Sequence, residues 1–279
     1  MGPIVMSDWK LSRSFAFEGQ DVRYEIRGEG PPLVLVHGTP WSSFNWRQLI
    51  PELARTRTVY FYDLLGYGQS DMRDGQKVAL DVQGRLLAAL LHHWQLDAPP
   101  IVGHDFGGTT VLRAHLLERC SFERMVLIDP VALSPWGSPF FAHVRQHEAA
   151  FRGVPDAIHQ AIVTAYVKDA THSPMPPDTL AGILRPWLGE RGRHGFYRQI
   201  AQADRRYTDE LEPLYSGIAR PVLIVWGEND AWIPLPTGRR LHEAIPGSAF
   251  VPVPGAGHLV QEDQPQLLVN VLEKFLGSR

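Results

Sequence analysis

Gly103-His104-Asp105-Phe106-Gly107 is the stretch of this sequence that decides the fold. It follows a short apolar run at 101–102 and precedes a predicted helix at 108–119. In a sharp strand-to-helix turn of this form, the central side chain leaves the sheet on a strained backbone, and small residues two positions before and after keep strand and helix apart. The helix also aims its first N–H groups at that side chain. The stretch therefore predicts a carboxylate, Asp105, presented at the edge of a buried sheet.

Short apolar runs recur on both sides of this turn and indicate strands buried on both faces, as in parallel sheets. They lie at 33–36, 59–62, 101–102, 125–128 and 222–226. Helical stretches separate them, at 46–55, 78–94, 108–119 and 237–244. Alternating apolar residues on either side of Gly19 predict an amino-terminal β-hairpin. This order predicts an α/β fold with a mostly parallel central sheet flanked by helices.

The alternation of strands and helices stops between about residues 131 and 215. This stretch is rich in proline, contains plausible helices around 141–151 and 156–167, and has no run typical of a buried strand. We interpret it as a helical cap, or lid, at 132–215, inserted after the sixth strand. The remaining parts, 1–131 and 216–279, are then predicted to form the α/β core.

Composition narrows the classes of protein that fit. The 279 residues contain 27 Lys and Arg and 30 Asp and Glu, a net charge of −3, which gives no electrostatic reason to expect a nucleic acid or an anionic membrane as partner. No apolar run reaches the roughly 20 residues that span a bilayer, and residues 1–10 do not resemble a signal peptide. The single cysteine, Cys120, rules out an intramolecular disulfide and a cysteine-based metal cluster. We therefore expect a cytoplasmic protein.

Taken with four further motifs, the turn around Asp105 resembles the α/β-hydrolase family, in the branch that uses an aspartate nucleophile. That branch holds haloalkane dehalogenases, fluoroacetate dehalogenases and epoxide hydrolases. The further motifs are His37-Gly38-Thr39-Pro40, the turn from Asp63 to Ser70, Gly227-Glu228-Asn229-Asp230 and Gly255-Ala256-Gly257-His258. Their order agrees with the family's order of nucleophile, acid and histidine. The resemblance covers nearly the whole chain.

The resemblance implies a catalytic role for three residues, and the chemistry of the side chains agrees with it. Asp105 is ionised at neutral pH and needs no base to attack a saturated carbon, which would form an ester of the enzyme. His258 would then activate a water molecule against that ester, and Asp230 would orient the imidazole. Asp129, at the end of the preceding strand, is an alternative acid because some dehalogenases carry theirs there. No metal or organic cofactor is implied.

The leaving group is less well defined, because this chain departs from each subfamily. The resemblance assigns the oxyanion hole to the backbone N–H groups of Thr39 and Phe106. Neither side chain offers the N–H that holds a halide in typical haloalkane dehalogenases, so an indole such as Trp136 or Trp187 would have to replace it. Fluoroacetate dehalogenases carry arginines where Phe106 and Thr109 stand, so the resemblance argues against a haloacid substrate.

Tyrosines of the cap protonate the opening oxygen in epoxide hydrolases, and two tyrosines are candidates for this role. Tyr197 lies in a context similar to one of the family's tyrosines, and Tyr166 is the nearest substitute for the other. Aromatic residues, including Trp41, are expected to line a cavity for a small apolar substrate. The sequence thus predicts a haloalkane-dehalogenase-like hydrolase, with an epoxide hydrolase and a non-catalytic ligand-binding homologue as alternatives.

Overall fold

The computed structural model describes residues 9–277, and all structural statements below refer to them. The strands are β1 (Arg13–Phe17), β2 (Gln20–Arg27), β3 (Pro32–Val36), β4 (Thr58–Tyr62), β5 (Ile101–His104), β6 (Met125–Ile128), β7 (Val222–Gly227) and β8 (Ala249–Val253). The α-helices are α1 (Ile50–Leu53), α2 (Leu80–His93), α3 (Phe106–Leu116), α4 (Pro139–Arg152), α5 (Asp156–Lys168), α6 (Pro177–Leu184), α7 (Gly189–Ala201), α8 (Arg206–Asp209), α9 (Leu235–Ala244), α10 (Val260–Asp263) and α11 (Pro265–Leu276).

The strands of residues 9–277 form one eight-stranded sheet in the order β1-β2-β4-β3-β5-β6-β7-β8. Strands β3 to β8 run parallel to one another, and the hairpin β1–β2 joins antiparallel at one edge through the β2–β4 pair. Strands β5 and β6 are buried along their whole length, as their continuous apolar runs predict. The fold is therefore the predicted α/β-hydrolase fold with a mostly parallel sheet flanked by helices.

Two local predictions differ from the structure. No single helix covers the predicted stretch 46–55. A 3-10 turn at Ser43–Trp46 ends where that helix was expected to begin, and the short helix α1 follows, with Pro51 at its second position. Strand β8 was not among the apolar runs, because it lies at the sheet edge, is only partly buried and contains Pro252. An edge strand needs neither apolar residues on both faces nor every backbone N–H, so its sequence gives a weaker signal.

The chain between β6 and β7 is helical. It contains α4, α5, α6, α7 and α8, together with 3-10 turns at Arg185–Trp187 and Glu212–Gly217. The Trp187 indole N–H donates to the Pro40 carbonyl at 2.7 Å, which joins this helical segment to the loop after β3. The division into a core and a cap at 131/132 and 215/216 stays a prediction. No helix among the residues described is both long and apolar enough to cross a membrane.

The turn after β5 depends on close backbone approach. A Cβ atom on Gly107 would lie 2.2 Å from the Val36 carbonyl oxygen, and one on Gly103 would lie 2.6 Å from the Gly107 carbonyl oxygen. Asp105 itself has a φ of 54°, a conformation that is strained for a residue with a side chain. The glycines therefore allow α3 to begin directly at the end of the strand, with Asp105 at the corner.

Candidate active site

The carboxylate of Asp105 is buried and bonded on both oxygens. The Thr39 backbone N–H donates to Oδ1 at 2.6 Å, and His258 Nε2 lies 3.2 Å from Oδ2. Phe106 follows as the first residue of α3, so its N–H is one of the unpaired groups at the amino terminus of that helix. Its role as the second oxyanion donor stays a prediction. The loop after β3 and the turn after β5 thus converge on one carboxylate because both strands end at the same edge of the sheet.

Asp230 contacts the other nitrogen of the imidazole. His258 Nδ1 lies 2.8 Å from Asp230 Oδ2, and both side chains are completely buried. The backbone N–H groups of Trp232 and Ile233 donate to Asp230 Oδ1 at 2.7 and 2.9 Å and fix the carboxylate. The structure therefore brings together the three residues that the sequence singles out, in the order Asp105, His258, Asp230.

The surroundings of the His258 imidazole favour its protonated form. Burial lowers the pKa of His258, but the charge of Asp230 and the hydrogen bonds to Asp105 and Asp230 outweigh it, so the pKa lies well above 6.5. A protonated imidazole carries a hydrogen on each ring nitrogen, so Nδ1 donates to Asp230 and Nε2 donates to Asp105. The resting site can therefore act as a base only after one of these negative charges is lost.

Asp129, the alternative acid, lies beside Asp230 but has no hydrogen bond to His258. Its Oδ1 accepts the Gly227 N–H at 2.8 Å, and its φ of 40° is strained. Burial and the charge of Asp230 raise the pKa of Asp129 well above its ordinary value, which favours the neutral form of its carboxyl. Atoms of Asp129, Asp230 and His258 that could bind a metal ion lie within 4.8 Å of one another. Asp230 and His258, however, already share a hydrogen bond.

Asp129→Asn is expected to make the free energy of unfolding less dependent on pH. The pKa of Asp129 is higher in the folded protein than in the unfolded chain, where it is about 3.9. As the pH rises above that value, this carboxyl ionises more readily in the unfolded chain, so the free energy of unfolding falls. Asparagine can still accept the Gly227 N–H but does not titrate. Urea unfolding between pH 5 and pH 8 should show the wild type losing stability relative to the variant.

The control for this measurement is Asp178→Asn, which removes an exposed carboxylate in the first turn of α6. It should track the wild type across the same range. A constant difference between Asp129→Asn and the wild type from pH 5 to pH 8 would contradict the assignment of a neutral Asp129.

A cavity of about 380 Å³ opens above Asp105. Five of its fourteen lining residues are aromatic, and the wall comes from the loop after β3, the turn after β5, the helical segment and the loop after β7. The lining residues are Thr39, Asp105, Phe106, Val131, Pro135, Trp136, Gly137, Ser138, Phe141, Tyr166, Asp169, Ala231, Trp232 and Ile233. Trp136 and Tyr166 therefore lie where the sequence places substrate-binding residues. Trp41 lies behind the wall and stacks on Trp232 with a ring separation of 5.5 Å.

The structure places two other predicted substrate-binding residues away from the cavity. The Trp187 indole is buried and bonded to Pro40, and the Tyr197 hydroxyl lies 3.1 Å from His159 Nδ1. Trp136 lines the cavity, but its indole N–H donates to Thr208 Oγ1 at 2.7 Å. These groups already have partners within the protein, so the expectation that Trp136 or Trp187 supplies a halide-binding N–H, or Tyr197 an O–H, is corrected.

Three residues near Asp105 were missed by reasoning from the sequence. Trp232 stacks on the His258 ring at 5.0 Å. Gln199 accepts hydrogen bonds from Thr39 Oγ1 at 2.6 Å and from the Tyr67 hydroxyl at 3.1 Å, both on Oε1. Its Nε2 is buried and has no hydrogen-bond partner in the part of the chain described. Tyr67 stands inside one quoted motif and Trp232 two residues after Asp230, but Gln199 gives no local signal.

Comparisons with known proteins identify the family of this chain. The model of the alpha/beta hydrolase family matches residues 33–271. The chain is 28% identical to a soluble epoxide hydrolase of Corynebacterium sp., over 93% of this chain and 94% of the relative. It is 26% identical to haloalkane dehalogenase 2 of Mycobacterium bovis, over 95% and 94%.

A solved structure gives the same answer for the fold. An alpha/beta hydrolase fold protein from Burkholderia ambifaria superposes with a TM-score of 0.92 at 49% identity, covering 95% of this chain and 98% of the other. The family model spans most of the sequence, including the strands that carry the site. The chain therefore belongs to the alpha/beta hydrolase family, with haloalkane dehalogenases and epoxide hydrolases among its relatives.

Proposed function

We propose that this hydrolase cleaves a bond at a saturated carbon of a small apolar substrate through an ester formed on Asp105. The observation that carries the proposal is the placement of the Asp105 carboxylate. It lies at an aromatic cavity, with the Thr39 N–H on one oxygen and His258 Nε2 near the other. A carboxylate needs no deprotonation to attack, and the aromatic wall keeps water from competing for the substrate.

The charge distribution gives His258 its role in the second step. When Asp105 becomes an ester, it loses its negative charge. The attraction between that charge and the imidazole proton then no longer raises the pKa of His258. The imidazole can then release its Nε2 proton to solvent through the cavity and take one from an attacking water molecule, a proton that it later passes to the departing alkoxide. That water attacks the ester carbonyl carbon, and the Thr39 and Phe106 N–H groups would stabilise the oxyanion. Cleavage of the ester releases an alcohol and restores Asp105.

Among leaving groups, the oxygen of an epoxide fits the cavity best. Tyr166 lines the cavity, and no hydrogen-bond partner for its hydroxyl occurs within residues 9–277. Burial, together with the charge of Asp105, raises the pKa of Tyr166 well above its ordinary value, so the phenol is protonated. It can donate that proton to the alkoxide formed when Asp105 opens the ring, and the phenolate then regains a proton from solvent.

A haloalkane is the second candidate. The buried Nε2 of Gln199, which has no partner among the residues described, favours it because Gln199 contacts Thr39 beside Asp105, although Gln199 itself does not line the cavity. The two candidates differ in their products. An epoxide gives a diol without acid, whereas a haloalkane gives an alcohol, a halide ion and a proton.

Tyr166→Phe is expected to slow the hydrolysis of 1,2-epoxybutane about a hundredfold, because it removes the proton donor but keeps the aromatic ring. Diol formation is followed by chromatography. Hydrolysis of 1-bromobutane, followed by bromide release, should change little, since a halide does not need the proton.

Tyr197→Phe is the matched control, because it removes a cap tyrosine hydroxyl that contacts His159 instead of the cavity. It should keep the wild-type rate on the epoxide. Wild-type turnover of bromobutane without any turnover of epoxybutane would reverse the order of the two candidates. No turnover of either, with ligand binding retained in Asp105→Asn, would favour the non-catalytic alternative.

A further inference from the structure

Two side chains of the helical segment hold the turn after β3. The Trp187 indole N–H donates to the Pro40 carbonyl at 2.7 Å, and Gln199 Oε1 accepts the Thr39 hydroxyl at 2.6 Å. Both hydrogen bonds are buried. The backbone N–H of Thr39, in the same turn, donates to Asp105. The helical segment therefore fixes the turn from which Asp105 receives this hydrogen bond.

Gln199 lies on α7 and contacts two separate parts of the core. Its Oε1 also accepts the Tyr67 hydroxyl at 3.1 Å, so one oxygen holds two donors. None of Gln199, Thr39 and Tyr67 is more than 3% exposed. Loss of this oxygen would leave two buried hydroxyl groups without their acceptor, which is costly where water does not reach them. The position of the Thr39 turn thus depends on Gln199.

The direction of the Thr39 N–H matters differently in the two steps of the proposed reaction. It donates to Asp105 Oδ1 at 2.6 Å. When water attacks the ester, negative charge develops on the carboxyl oxygen that faces this N–H, so a well-aimed donor lowers the barrier. When the ester forms, the carboxylate loses charge and the same donor gives no such advantage. A badly aimed Thr39 N–H should therefore slow ester hydrolysis more than ester formation.

We propose that Gln199 is a positioning residue, which holds the Thr39 turn so that the Thr39 N–H stabilises the oxyanion during ester hydrolysis. This inference rests on the proposed function for the reaction, whereas the placement of the N–H can be measured without any turnover. Gln199 acts through its Oε1 and is not among the described residues that line the cavity. The helical segment then supports the second step of the reaction from outside the cavity.

Gln199→Met tests the role of the acceptor, because methionine keeps the length of the side chain and removes the amide. The variant reacts with whichever of 1,2-epoxybutane and 1-bromobutane the wild type turns over, and acid-quenched samples are weighed as intact protein. We expect ester hydrolysis to slow about tenfold, a part of the roughly 10²- to 10³-fold lost when an oxyanion donor is removed outright. Ester formation should change less than about twofold, so the fraction of protein that carries the ester rises.

Gln202→Met is the matched control, because Gln202 also joins the helical segment to the core but meets a different loop. Its Oε1 accepts the Val78 N–H and its Nε2 donates to the Gln76 carbonyl, both at 2.8 Å. The control therefore loses two hydrogen bonds as well. It should keep the wild-type rate of ester hydrolysis.

Thr39→Val removes the same hydrogen bond from the other side and keeps the backbone N–H. It should slow ester hydrolysis in the same direction as Gln199→Met. The double variant should be no slower than the slower single variant, because residues that act through one bond are not additive. Additive losses would contradict a shared path through the Thr39 hydroxyl.

Hydrogen exchange of the Thr39 amide, followed by NMR, separates the placement of this N–H from the chemistry. Exchange should be about tenfold faster in Gln199→Met than in the wild type, because the turn opens more often, and unchanged in Gln202→Met. This measurement needs no substrate.

Unchanged Thr39 exchange in Gln199→Met would overturn the inference, and so would unchanged ester hydrolysis in that variant. Equal slowing in Gln202→Met would overturn it as well, because any loosening of the helical segment would then suffice. Conversely, faster Thr39 exchange in Gln199→Met, in a protein whose wild type turns over neither substrate, would leave the positioning of Thr39 standing and contradict the proposed reaction.

Discussion

His258→Phe is expected to stop the reaction at the ester, so that the intact protein gains the mass of one epoxide molecule after incubation with substrate. Asp105 can still attack, because a carboxylate is a nucleophile without help from a base. Hydrolysis of the ester needs a base in hydrogen-bond reach, and its loss slows this step about 10²- to 10⁴-fold. Mass spectrometry of the intact protein follows the adduct, and digestion with fragmentation locates it on Asp105.

Two variants serve as controls for the trapped ester. Asp105→Asn in the His258→Phe background should gain no mass, because the nucleophile is gone. His92→Phe, which changes an exposed histidine in the last turn of α2, should turn substrate over normally and show no lasting adduct. An adduct on any residue other than Asp105, or free turnover by His258→Phe, would refute the ester mechanism.

Gly107→Ala adds a single methyl group, and we expect it to lower the stability of the folded protein markedly. Its methyl group would lie 2.2 Å from the Val36 carbonyl oxygen and 2.6 Å from that of His37, both of them backbone atoms that cannot rotate away. Overpacking of this kind costs about 1–3 kcal/mol or more. For a chain of this length we therefore expect the thermal midpoint to fall by roughly 2–5 °C, measured by circular dichroism.

Gly217→Ala is the matched control, since a Cβ on Gly217 would meet nothing within 4 Å. It should change the midpoint little. A Gly107→Ala protein as stable as the wild type would show that β5 and α3 can separate at the turn, and that the close approach there is not required by the fold. Any activity retained by Gly107→Ala should be lower than that of Gly217→Ala, because Asp105 moves with the turn.

Much of this fold could be predicted because its signals are local. A strand buried on both faces needs a continuous apolar run, as in β6, and the turn at Asp105 needs glycines at fixed distances. The edge strand β8 gave a weaker signal because partial burial tolerates mixed residues. The short helix α1 was overestimated because the apolar spacing around it also fits a 3-10 turn followed by a bend.

Within the site, too, some residues are placed by local signals and others only by packing. Asp105, Asp230 and His258 each follow a strand of a parallel sheet, so topology alone brings them to one edge. The choice between Asp129 and Asp230 is different, because both follow strands at that edge. Packing settles the contact: Asp230 Oδ2 lies 2.8 Å from His258 Nδ1, while Asp129 accepts the Gly227 N–H.

The helical segment was the hardest part to interpret, because its side chains choose among partners that are distant in sequence. Tyr197 contacts His159, and the Trp187 indole reaches Pro40 across 147 positions, so neither polar group is left for a substrate. Gln199, which has no motif around it, contacts Thr39 instead. Which face of a cap helix looks into the cavity depends on these contacts.

Neighbouring positions in the chain were enough to predict the family, the buried parallel strands that carry the site, and Asp105 and His258 at its centre. Short-range requirements, such as apolar runs and glycines at a tight turn, are written in neighbouring positions. Packing between distant segments settled which acid contacts the histidine and which tyrosine hydroxyl has no hydrogen-bond partner among residues 9–277. Those outcomes depend on hydrogen-bond partners brought together from distant segments, and a polar group that finds one partner in the fold is lost to the substrate.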